Sequence, residues 1–193
     1  LRLVFTEDLA QDLGVAWLLV WTALGVMLLL RRLDVTLWAA CVGGMAAMTS
    51  PFLHVWLLHP QAATFCWIAW VLWAIEGRRA VPIALCTLGL MWGGHPGTVF
   101  HGLLLACGWW ALRSRSPEAV LGVGLGVLIS LPLTLPLCEQ ALRSTTATAR
   151  GDSVLELSQL LDLLWPGWLG HPALETWEGS GAWADGQLHP GPA

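Results

Sequence analysis

The chain has no lysine and no tyrosine, and only 11% of its 193 residues are charged. A soluble domain carries about 25% charged residues, so too little of this surface is built to meet water. Nine arginines face thirteen acidic residues for a net charge of −4, which leaves no basic face and no nucleic-acid partner. An apolar share of 56% excludes disorder, which needs few apolar residues and high charge. Disulfides are excluded as a framework, because Cys41, Cys66, Cys86 and Cys107 all sit inside apolar runs and only Cys138 lies near a run's end. No P-loop, G-x-G-x-x-G, C-x-x-C or Ser/His/Asp set occurs, so neither a nucleotide-driven enzyme nor a hydrolase is supported and no cofactor is expected. What survives these exclusions is an all-α integral membrane protein whose partner is the lipid bilayer.

Six apolar runs, separated by charge and by Gly/Pro punctuation, predict six spans: Leu13–Leu30, Val35–Thr49, Ala62–Ile75, Ala80–Trp92, Gly97–Leu112 and Ala119–Cys138. A crossing needs about 20 apolar residues for a hydrocarbon core of about 30 Å, and the middle four runs are short for it. Arginines mark every second connection: Arg31/Arg32, Arg78/Arg79 and Arg113/Arg115. The alternate connections, Ser50–Gln61 and Gly93–Pro96, have none. Positive residues stay cytoplasmic, so this alternation predicts six crossings with the arginine-free turns outside. The organisation expected is an external juxtamembrane segment over 1–12, a membrane region over 13–139 and an external region over 140–193. Within the last, Val154, Leu157, Leu160, Leu161 and Leu164 predict an amphipathic helix over 152–164, ended by Pro166. The chain begins Leu1-Arg2-Leu3, without an initiator methionine or the grammar of a signal peptide, and is expected to be a piece of a longer protein.

His-Pro occurs at 59–60 and 95–96, each time opening a run that travels from outside to inside. Proline suits the first helical turn and disfavours the α region for the residue before it, which places His59 and His95 at helix caps. The two stretches look like copies: His59-Pro60 precedes Arg78/Arg79 and His95-Pro96 precedes Arg113 at nearly equal spacing. Helix starts carry unpaired N–H groups and positive dipole ends, so two of them facing one compartment predict an anion site. Because Ala80–Trp92 is only about 20 Å long, the Gly93-Gly94-His95-Pro96 turn is expected below the outer surface, lining a cavity with Gly94 and His95 on its wall and His101 deeper. Arg143 and Arg150, beyond the sixth run, are candidate phosphate ligands through bidentate pairing. No ligand spacing supports a metal site among His54, His59, His95 and His101. Trp67, Trp70 and Trp73 form a helical stripe that reads as packing.

Gly94-His95-Pro96-Gly97-Thr98-Val99-Phe100 resembles the "GHPQTAFY" stretch of YfhO-type bacterial membrane proteins, which belong to the GT-C superfamily of polytopic glycosyltransferases. Pro136-Leu137-Cys138-Glu139-Gln140 with Arg143, Ser144 and Arg150 is similar to that family's "P…E…S.R" exit from a span. Leu164-Trp165-Pro166-Gly167-Trp168-Leu169-Gly170 resembles its "PnffG" loop, and His59-Pro60 has a counterpart there. The resemblance runs in order from about Leu13 to Gly170. It implies sugar transfer from a polyprenyl-phosphate sugar donor to a cell-envelope glycan or lipid acceptor, on the outer face of the bacterial cytoplasmic membrane. It also implies a catalytic acid in a loop upstream of Leu1, and no catalytic role is carried onto Glu7, Asp8 or Asp12. A transporter or flippase with broken helices, and a non-catalytic membrane subunit, are the rival expectations.

Overall fold

A computed structural model describes residues 7–143, and every regular element among them is helical. The chain divides into two compact units, Leu1–Leu135 and Pro136–Ala193, and of the second only 136–143 lie among the described residues. The amphipathic helix expected over 152–164 falls outside them.

The first helix, α1, runs over Glu7–Arg32, so residues 7–12 of the segment expected outside continue into the first apolar run without a break. Arg31 and Arg32 occupy its last turn, where cations meet the negative dipole end. Asp34, at φ 61°, turns the chain, and Thr36 caps α2 (Leu37–Met48) through its side-chain oxygen. The two helices can lie close together because Gly44 sits against the Ala23 carbonyl, where a Cβ would come within 2.7 Å of the oxygen.

The connection after α2 holds a short helix, α3 (Pro51–Val55). Next comes a difference from the expected single third span. The run over Ala62–Ile75 is two helices, α4 (Pro60–Phe65) and α5 (Ile68–Glu76), interrupted at Cys66-Trp67. Side chains compete with the backbone here: Thr64 Oγ1 donates to the Pro60 carbonyl and Cys66 Sγ to that of Ala63, at 3.0 and 3.1 Å.

Gly77 and Arg78 (φ 50°) end α5 and lead to α6 (Ala80–Trp92), whose bounds coincide with the fourth apolar run. Gly94, at φ 85°, makes the turn into α7 (Pro96–Trp109). A π-helical turn, Trp110–Ser114, closes α7, and Arg115 at φ 48° leads to α8 (Pro117–Arg143). Ser116 Oγ caps α8 by accepting from the Ala119 N–H at 3.3 Å.

The core gathers around α5, whose Trp70, Val71, Ala74 and Ile75 are buried with Ile83, Cys86 and Leu90 of α6 and Ala106 of α7. Indoles run along the α1–α5 seam: Trp21 stacks on both Trp17 and Trp70, with ring centroids 4.9 and 4.3 Å apart. Trp70 Nε1 donates to the Trp21 carbonyl at 3.0 Å. The stripe of Trp67, Trp70 and Trp73 is therefore packing, as expected. Gly122, Gly126 and Ser130, at i, i+4 and i+8 of α8, are all buried, and a Cβ at Gly122 or Gly126 would press on the carbonyls of Ala80 or Ala84. Small residues at this spacing let helices touch backbone to backbone, the packing used where lipid rather than water surrounds the bundle.

Two helical stretches, Leu9–Arg32 and Pro117–Pro136, are long and apolar enough to cross a membrane, and only 17% and 22% of their apolar windows are buried. A core helix of a water-soluble protein hides such a surface, whereas these present Trp17, Val20, Leu128, Ile129 and Leu133 outward. The described residues thus carry two helices with the length and exposure of spans, and α6 is a shorter apolar helix beside them.

The α8 interface predicts an asymmetric response to substitution. Gly122→Leu inserts bulk against Ile83 and the Ala80 carbonyl and is expected to cost about 1–3 kcal/mol. Gly124→Leu, which meets nothing within 4 Å, is expected to leave thermal stability in detergent unchanged or slightly raised. Equal melting temperatures for the two variants contradict this packing.

Candidate functional site

The helices of the first unit share one basic end. The Arg32 guanidinium lies over the Trp73 ring, 4.3 Å from its centroid, and donates to the Trp73 carbonyl. It also rests against Gly77, where a Cβ would sit 3.0 Å from Cζ, so a side chain there would displace the guanidinium. Arg113 Nε donates to Glu76 Oε1 at 2.9 Å, and Trp109 Nε1 donates to the same oxygen at 2.8 Å. The arginines after α1, α5 and α7 therefore gather around the C-terminal end of α5. Glu76, which ties two of these ends together, had no signal in the sequence beyond being an acid beside an arginine pair.

The opposite end holds the two His-Pro turns side by side. Pro60 and Pro96 occupy the first turns of α4 and α7, and His59 and His95 are their N-caps with extended backbone, φ −112° and −110°. Gly94 comes within 3.9 Å of Pro60 when a Cβ is placed on it. The turns are joined by Thr64, which is fully buried: its Oγ1 accepts from the His95 N–H at 3.2 Å while donating to the Pro60 carbonyl. Gly93 lies so close to Thr64 that any side chain there would run into its backbone. Thr64 was missed, its only signal being a polar residue inside an apolar run.

His95 is half-buried, and its ring is part of the cap. Nδ1 accepts from the Thr98 N–H at 3.1 Å and lies 2.8 Å from Thr98 Oγ1. A helix start leaves four N–H groups over. Here His95 donates to Thr64, Pro96 has none and Thr98 is bound by the His95 ring, so Gly97 alone remains for a ligand. The α7 start is thus largely self-capped, and α4, six residues long, is too short to build a dipole site. Of the expected pair of open helix termini, the α7 start is closed by its own histidine, whereas His59 makes no side-chain cap at the short α4.

Between these turns and α1 lies an open cleft of about 490 Å³. Its wall on α1 is Gln11, Gly14, Val15 and Leu18, and its other wall is Leu57, Leu58, His59, Pro60, Ala63 and Gly93. The floor is apolar, Gln11 and His59 are its polar lining residues, and among the described residues no carboxylate lines it. Two helices measure its depth from the arginine end. Leu18 is fourteen residues before Arg32, and Gly93 is fourteen residues after Arg79. At about 1.5 Å per residue both lie about 21 Å from that end, less than the thickness of a hydrocarbon core of about 30 Å. Gln11 lies about 32 Å from the same end.

Of the expected site residues, the structure brings His59, Gly94 and His95 to this one end, with His59 in the cleft wall. His101 is placed elsewhere: α7 buries Val99, Gly102 and Ala106, and His101 falls on the exposed side, 2.7 Å by Nδ1 from the Gly97 carbonyl. Arg143 is the last residue of α8, and Arg150 lies outside the described residues. Among the described residues no three His, Cys, Asp or Glu side chains come together as metal ligands would.

The cap predicts that His95→Ala destabilises the protein by about 0.5–2 kcal/mol, the cost of losing a capping side chain, and that His95→Asn recovers most of it. Chemical denaturation in detergent measures both. A His95→Ala variant as stable as the parent contradicts the capping geometry.

No protein-family model matches the chain, and neither does any curated protein or solved structure. The cleft and its two flanking turns are what a functional assignment has to stand on.

Proposed function

We propose that this chain is the donor-binding part of a six-span membrane glycosyltransferase of the YfhO type. Its donor is a polyprenyl-phosphate-linked sugar, bound from the outer face of the bacterial cytoplasmic membrane. The observation that carries the reading is the cleft: apolar at its floor, polar at Gln11 and His59, and sunk partway into the depth of the core. Its volume lies in the range of pockets that enclose a small ligand. An apolar floor suits the first units of an isoprenoid chain, and the polar rim suits the sugar phosphate.

The six crossings are α1, α2, α4 with α5, α6, α7 with its π-helical turn, and α8. Their support is the gathering of Arg32, Glu76 and Arg113 at one end and of both His-Pro turns at the other. In the reaction, the acceptor hydroxyl attacks the anomeric carbon. The bond to the donor phosphate breaks, and the polyprenyl phosphate leaves with its electrons. The hydroxyl proton goes to a carboxylate base, which the described residues of the cleft walls do not include. His59 and the Gly97 N–H are the groups at this end that can bind the leaving phosphate. Arg143 and Arg150 join that role on the resemblance alone.

A second reading is favoured by one observation, the interrupted helix at Cys66-Trp67. Broken helices at mid-depth line substrate paths in transporters. The two readings part in reconstituted vesicles. The transferase reading expects the intact protein to consume a polyprenyl-phosphate sugar. His59→Ala and the Arg143→Gln/Arg150→Gln pair should each lower that consumption about tenfold or more, the effect of removing one hydrogen bond to a charged group. Movement of the lipid across the bilayer without loss of its sugar supports the transporter instead. Unchanged consumption in both variants removes these residues from donor binding.

A further inference from the structure

At the arginine end, we infer a binding site for the phosphodiester head group of an anionic phospholipid, built from Arg32, Arg78 and Arg79. The inference rests on the membrane-spanning reading but not on the sugar-transfer reaction.

Arg32 is fixed: its guanidinium is held on the Trp73 carbonyl and ring and against Gly77. The next two residues after that glycine are Arg78 and Arg79, both exposed. Arg78 is turned out of the helix by its left-handed backbone at φ 50°, and Arg79 is the extended N-cap of α6. One turn therefore carries two exposed arginines directly after the glycine on which the Arg32 guanidinium rests. Among the described residues neither the Arg78 nor the Arg79 side chain donates a hydrogen bond or joins an ion pair, and the single ion pair is Arg113 with Glu76.

The carboxylates at this end do not answer the charge. Glu76 is already engaged by Arg113 and Trp109. Asp34 and Glu118, the other acids at these connections, make no ion pair among the described residues either. Like charges gathered on a rigid turn repel one another, and the α5 carbonyl end takes up only Arg32, through Trp73. A phosphodiester offers oxygens to the planar donors of two or three arginines at once. The turn also lies at the level where a bilayer presents its head groups, because α6 starts there and its apolar length runs into the core. A leaflet lipid therefore reaches this turn without leaving the membrane. A zwitterionic lipid does so too, but with no net charge to offer.

Native mass spectrometry of the full chain, released from detergent micelles, tests the site with three probes: phosphatidylglycerol, phosphatidylcholine and inorganic phosphate. The parent is expected to retain phosphatidylglycerol in preference to phosphatidylcholine. Arg78→Gln/Arg79→Gln is expected to bind phosphatidylglycerol about tenfold more weakly, at unchanged phosphatidylcholine binding. Its melting temperature should match the parent, since neither side chain bonds to the rest of the described fold. Gly77→Leu, which displaces Arg32, is expected to weaken the same binding. Phosphatidylglycerol held no better than phosphatidylcholine, or held equally by parent and double variant, overturns the site. Displacement of the lipid by millimolar inorganic phosphate also overturns it, in favour of a free-anion site. A chain that stays dispersed without detergent and carries neither lipid contradicts the membrane reading itself.

Discussion

Helices of unequal length are held level at one end, and most of the first unit follows from that. Arg32 on the Trp73 carbonyl, with Arg113 and Trp109 on Glu76, ties the ends of α1, α5 and α7 together. From that common level the apolar stretch of α1 continues for 24 residues, while α6 stops after 13. The difference has to appear at the far end. It does so as a cleft whose tall wall is α1 and whose low wall is the first His-Pro turn with Gly93 beside it. Thr64 seals the low wall by bonding both turns at once, and Gly93 gives it the room.

Charge and punctuation made the helices legible. Arginine pairs, glycines and prolines bracket each element, and α6 has the bounds of its apolar run because Arg79 and Gly93 flank it. The break at Cys66-Trp67 was not legible. Hydropathy does not distinguish an apolar helix from an apolar turn. The π-helical turn at Trp110–Ser114 was not legible either, and its Arg113 bonds Glu76, 37 residues away in the chain.

The candidate site was legible in place but not in chemistry. The capping position of both histidines follows from the proline after each, whatever surrounds them. That the His95 ring would spend its Nδ1 on Thr98 depends on a rotamer, and it turns an open anion site into a closed cap. His101 shows the limit of counting along a helix. Depth comes from the residue number, whereas the side it faces is decided by Gly102 fitting against Leu90. The cleft lining at Gln11, Leu57 and Leu58 comes from separate segments of the chain, so no local pattern announces it.

The claim that the cleft is a wet recess below the outer surface, with the arginines on the other side, is tested most directly by single cysteines in a cysteine-free background. Leu58, Ala63 and Glu118 are the positions of choice, at the rim, in the wall and at the arginine end. In sealed right-side-out vesicles, a small impermeant thiol reagent should label Leu58→Cys and Ala63→Cys, and should reach Glu118→Cys only after permeabilisation. An unreactive Ala63→Cys, or labelling of Leu58→Cys and Glu118→Cys from the same side, contradicts the account.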